Sequence, residues 1–226
     1  MSQLLSRMAL SRHSRSMPLL RRELFSTDAG ASGASIPLFL SLPEMPYDEK
    51  PPRILFPSHI PIIPVSSIVD IQTAVEKHYE LESGQQFVGG MGESDGGVWF
   101  VPTHTNSDPM HHYTEFIEPG IDLVKQSRHG VPFGIYTSGT VFLQEMNRLQ
   151  HSFGTVHVSL LAANPMDYCE ASGVFREELF GEVCNFLVAA EEEKVPIHVG
   201  VLKKFASDGR DLAIALGAQH VDVYDS

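Results

Sequence analysis

The sequence predicts an α/β protein built on a parallel sheet, and three observations carry that expectation. From residue 66 onward, apolar residues at helical spacing alternate with short Val- and Ile-rich runs. Gly, Pro and Ser bound those runs, as they bound strands. Strand–helix alternation requires crossover connections, which join parallel strands in an open sheet or a closed barrel.

Taken in order, residues 36–66 are proline-rich around short apolar runs at 36–42 and 54–56. Proline removes a backbone donor and fixes φ, so one of these runs can be a strand and the rest is extended loop. Ile68, Ile71, Val75 and Tyr79 follow at helical spacing, with Ser66 or Ser67 as N-cap and Gly84 as the stop. Residues 85–88 read as a short strand running into the turn Gly89-Gly90-Met91-Gly92-Glu93. Residues 94–113 read as a polar loop holding Trp99, His104, Asp108, His111 and His112. A helix at 121–129 precedes a strand over Phe133–Thr137, and Ser138 caps a helix with Phe142, Met146 and Leu149 on its apolar face. Thr155–Leu161 is a strong strand, and 162–180 a long connection. An amphipathic helix follows around Val183, Phe186, Leu187 and Ala190. A strand at 196–202, a helix from Ser207 or Asp208 to Leu216, and a strand over His220–Tyr224 complete the pattern.

Residues 1–22 carry Arg7, Arg12, Arg15, Arg21 and Arg22 among serines and leucines, with no acidic residue. That is the composition of a transit peptide, and a mitochondrial address is expected, with a plastid one as the alternative. The chain therefore divides into residues 1–35 (transit peptide and disordered segment), 36–66 (proline-rich segment) and 67–226 (α/β domain). Net charge is −12 despite the basic start, which speaks against nucleic acid as a partner. No stretch approaches the roughly 20 apolar residues of a spanning helix, so no membrane partner is expected either. Cys169 and Cys184 are too few for a disulfide framework or a cysteine-rich zinc site.

Three groups of residues could carry chemistry. The glycine turn lets backbone approach a ligand closely, and Glu93 puts a carboxylate at a strand's carboxyl end, where parallel α/β proteins build sites. It is neither a dinucleotide fingerprint nor a P-loop. His157, His198 and His220 alternate with valines and face a barrel interior, which invites a metal-dependent hydrolase reading. They lie in the first halves of their strands, away from the end where sites sit, so core histidines are expected instead. His104, Asp108, His111, His112 and Glu115 form the third group, whose loop composition favours a solvated segment over a metal site.

The sequential order of four pieces adds a further clue. They are the G-x-G-E turn ending in Glu93, then Thr137-Ser138-Gly139, then Val158-Ser159-Leu160 with Asn164-Pro165, then Phe180-Gly181-Glu182-Val183. Over residues 67–226 this order resembles the core of the radical S-adenosylmethionine (radical SAM) superfamily. The resemblance implies a partial six-unit (β/α) barrel of parallel strands. It implies that Gly90, Gly92 and Glu93 match a Gly-Gly-Glu motif that holds the amino group of SAM. Thr137, Ser138 and Gly139 would match the turn after the third strand, and Ser159 would reach the ribose. It also implies a [4Fe–4S] cluster held by C-x-x-x-C-x-x-C after the first strand, where residues 36–66 contain no cysteine. The expectation is a degenerate relative that takes SAM or another small molecule and does not cleave SAM in the orthodox way. A metal-dependent hydrolase barrel and a non-catalytic structural or regulatory protein stand as alternatives. No catalytic residue, metal ligand or protein partner is assigned.

Overall fold

Seven parallel strands form the spine of the protein in a computed structural model that describes residues 37–44, 50–57, 59–81, 97–141 and 146–225. All of these belong to the unit Ala34–Ser226. The strands are β1 (Leu38–Ser41), β2 (Ile62–Pro64), β3 (Val98–Val101), β4 (Phe133–Thr137), β5 (Thr155–Leu161), β6 (Ile197–Leu202) and β7 (His220–Tyr224). Their order across the sheet is β2-β1-β3-β4-β5-β6-β7, and every pairing is parallel. The expected α/β architecture of a partial barrel stands, with seven strands in place of six and β2 and β7 at the two edges.

The helices are α1 (Ile68–Leu81), α2 (Glu118–Ser127), α3 (Asn147–Ser152), α4 (Pro165–Ser172), α5 (Glu178–Glu192) and α6 (Ala206–Ala215). None among the described residues is long and apolar enough to cross a membrane. Helices cover one face of the sheet. There Val98, Phe100, Ile135, Val156, Val158 and Val199 meet apolar helix residues such as Ile71, Ile121, Val183 and Leu187 in the main core. The opposite, inner face carries a second and smaller cluster, Phe39, Ile54, Val101 and Tyr136, to which no helix among the described residues contributes. Its cover comes from the proline-rich segment.

Four local expectations give way to the structure. The proline-rich segment yields two strands, β1 and β2, because Pro64 closes a strand at the sheet edge, where a missing donor is tolerated. Residues 94–113 are not a continuous loop. Val98, Trp99, Phe100 and Val101 pair with both β1 and β4, and a 3₁₀ turn, Pro109–His112, follows. A strand buried on both faces shows no polar alternation, so its four apolar residues offer no period to read among polar neighbours. The connection at 162–180 contains α4, whose start is signalled by the Asn164 side chain accepting from Asp167 N at 3.0 Å and by Pro165 in the first turn. Gly173, at φ +70°, ends it. Ser138 caps no helix among the described residues; its hydroxyl is used elsewhere.

Candidate functional site

The carboxyl end of β4 meets the segment that follows β3 around one carboxylate. Asp108 is fully buried, and its Oδ1 accepts from Met110 N at 2.9 Å. Its Oδ2 accepts from Thr137 Oγ1 at 2.9 Å, from Ser138 N at 2.8 Å and from Ser138 Oγ at 2.5 Å. A buried carboxylate is tolerated when its lone pairs are met in this way. The loop reading of Asp108 as solvated is corrected, since the residue locks the turn at the end of β4. The sequence did carry a signal for it: Asp108-Pro109 is an N-cap followed by proline in the first helical turn.

Thr137 and Ser138 thus come together as expected, but with their hydroxyl protons committed to Asp108. Gly139 follows at φ +75°, and a Cβ there would lie 2.8 Å from Val158 Cγ1, so the turn needs glycine for conformation and for space. Ser159, on β5, is fully buried and accepts from Leu55 N at 2.8 Å. The ladder shifts between Ser159 and Leu161, and Leu161 adopts φ +66°, a left-handed conformation that is strained for leucine. Such irregularity at a strand's carboxyl end re-aims the chain over the site. Gly90, Gly92 and Glu93 lie outside the described residues.

Two further features at this end escape sequence reasoning. The Tyr168 side chain, on α4, is fully buried and its hydroxyl has no hydrogen-bond partner among the described residues. Burial pushes its pKa up, and the nearby carboxylates of Asp108 and Glu182 push it further. Residues 53–55 also cross the strand ends: Arg53 N donates to Ser172 O, and Ile54 N to Thr105 O. Cys169 and Cys184 lie buried on α4 and α5, and burial pushes the Cys184 thiol up to about 11. His112, also buried, is held below its usual pKa by that burial, with a bond to Pro43 opposing.

The inward histidines form one register row, Tyr136–His157–His198–His220, across β4 to β7. His157 Nε2 lies 3.4 Å from Asp222 Oδ2 and 3.2 Å from Tyr224 Oη, and His220 Nε2 lies 3.0 Å from Asp222 Oδ1. Among the described residues no three His, Cys, Asp or Glu side chains are grouped to hold a metal ion. Burial raises the Asp222 pKa, but the bond and attraction from His157, with attraction from His220 and His198, outweigh it and hold the carboxyl below the usual carboxylate range. A carboxyl depressed on folding contributes stability above its unfolded pKa and loses it as pH falls through the folded value. Unfolding free energy measured from about pH 6 down to about pH 2 is therefore expected to fall less steeply at the acid end in Asp222→Asn than in the wild type.

Solved structures share this fold. SuiB of Streptococcus suis bound to S-adenosylmethionine superposes at a TM-score of 0.55 and 13% identity, over 84% of this chain and 39% of SuiB. Native anSMEcpe with bound AdoMet matches at a TM-score of 0.55 and 12% identity, over 84% of this chain and 51% of that one. The fold is that of the radical SAM enzymes. No protein-family model and no curated relative matches the sequence. The chain spans about two fifths of SuiB and half of anSMEcpe, so its radical-SAM-like unit answers to one part of those larger proteins.

Proposed function

We propose that this chain is a cluster-free radical-SAM-like domain of an organelle that binds S-adenosylmethionine, or a small molecule sharing its polar head, without cleaving it. The observation that carries the ligand reading is the buried hydroxyl of Tyr168, unmatched among the described residues, beside the Asp108-braced turn. A buried hydroxyl without a partner costs about 1–3 kcal/mol, and a polar ligand at the ends of β4 and β5 would remove that cost. The backbone of Gly139 and Thr140, the Ser159 hydroxyl and Glu93 are the other groups proposed to hold it.

The cluster-free reading rests on donor chemistry. Residues 36–66 hold no cysteine, and the two cysteines present sit in α4 and α5, one with its thiol favoured over thiolate. Iron–sulfur clusters require thiolates, and this donor set does not fit one. The organellar reading rests on the Arg- and Ser-rich start.

Calorimetry of the full chain with SAM tests the ligand reading. The wild type is expected to bind, and Tyr168→Phe and Glu93→Ala each to bind about tenfold more weakly, as loss of one such contact implies. No heat with the wild type ends the proposal. Anaerobic reconstitution with iron and sulfide is expected to give no visible-region cluster band, and a stoichiometric band would reject the cluster-free reading. Import into isolated mitochondria or chloroplasts, read as a protease-protected product, tests the address.

A further inference from the structure

The two edges of the sheet are built differently. β2 is three residues long, with Pro61 before it and Pro64 at its end, and proline withholds the amide a further strand would need. β7 carries no such guard. Its five residues, His220–Tyr224, include no proline, lysine or glycine, and its ladder with β6 runs without a register shift. One row of its backbone N–H and C=O groups meets β6, and the other has no strand partner among the described residues. β4 is buried at every position, whereas no β7 residue is, and Val223 is 38% exposed. An unguarded edge with alternating valines is a template for pairing with another strand.

We propose that β7 is the interface for a second copy of this chain, which adds its own β7 antiparallel across a two-fold axis at Val221. A closed dimer needs the same patch on both subunits, and an antiparallel pair of identical strands meets that condition. The side chains choose the axis. An axis at Asp222 would set Asp222 directly against its copy, and like charges so placed repel. An axis at Val223 would leave His220 with no strand residue opposite. An axis at Val221 sets His220 opposite Asp222 of the second copy, twice, and Val221 against Val221. Within one copy His220 Nε2 lies 3.0 Å from Asp222 Oδ1, so the two groups already recognise each other. Their side chains stay 35% and 34% exposed, which leaves room for a second, cross-strand contact. A carboxylate has about four acceptor positions, and that bond leaves the other imidazole nitrogen of His220 unused. The interface lies at the sheet edge and is independent of the ligand reading.

Sedimentation velocity of the full chain over a range of concentrations tests it. The wild type is expected to pass from monomer to dimer as concentration rises. His220→Asp sets a carboxylate opposite Asp222 of the second copy and is expected to weaken association about tenfold. The double variant His220→Asp/Asp222→His rebuilds the cross-strand pair and is expected to restore association. Register is read separately, by mild oxidation of Val221→Cys and Val223→Cys. Directly opposed residues in antiparallel strands lie about 4.5–5.5 Å apart between Cα atoms, within reach of a disulfide. Val221→Cys is therefore expected to give a covalent dimer, and Val223→Cys, facing Gln219 across the strands, to give none. Cys169 and Cys184 are buried and do not compete. A wild type that stays monomeric at every concentration overturns the proposal. So does an association that His220→Asp leaves unchanged, or a covalent dimer from Val223→Cys in place of Val221→Cys. The oxidation readout leaves the His220–Asp222 pair intact, so it decides the case if His220→Asp fails to fold.

Discussion

Replacing Asp108 with alanine is expected to destabilise the protein by about 4 kcal/mol, the scale for removing one partner of a fully buried charged network. The substitution strands the amides of Met110 and Ser138 and the hydroxyl of Thr137, and leaves the Ser138 hydroxyl only Thr140 to bond. Native domains hold only about 5–15 kcal/mol in reserve, so the variant stands near its folding threshold. Asp108→Asn keeps one acceptor oxygen and is expected to lose about half as much. Urea unfolding decides it: a lower midpoint at unchanged slope is the expected result. A loss below about 1 kcal/mol would show that the turn is held by its other contacts.

Phe100→Ala is expected to cost about 3–5 kcal/mol, the range for deleting a fully buried phenylalanine. The Phe100 ring stacks on Phe133 at 6.3 Å between centroids and meets Phe153 edge-on at 6.5 Å, so its loss opens a cavity between β3, β4 and the end of α3. The same urea measurement applies, and the contrast with Asp108→Ala is informative. Phe100 faces the helices, so its loss should lower the midpoint while leaving SAM affinity in the folded protein unchanged. Asp108 holds the turn proposed to face the ligand, so Asp108→Asn should weaken both.

What was legible in the residues follows from which forces are local. The valines of β5 to β7 alternate with polar residues, and that period identified three strands and their two faces. The histidine row was legible for the same reason. Helices α1 and α5 were legible from apolar spacing. β3 was not, because a strand with a wall on each side carries no alternation. α4 could have been found from Asn164-Pro165 and Gly173, which are capping signals and not periodic ones.

The site divides along the same line. Thr137, Ser138 and Ser159 could be picked out as residue types at strand ends. Which of their hydrogen bonds are already used could not, because Asp108 lies 30 residues from Ser138 and Leu55 lies 104 from Ser159. The sequence by itself determined the parallel α/β class, the inward row of histidines and the absence of cysteines from residues 36–66. Only the tertiary structure decided that Asp108 is buried as the brace of the β4 turn, that Leu55 N bonds Ser159, and that the Tyr168 hydroxyl is unmatched among the described residues. Periodicity reports which way a side chain points from its own strand or helix. A buried hydrogen bond is settled by whichever distant donor the packed chain brings within 3 Å.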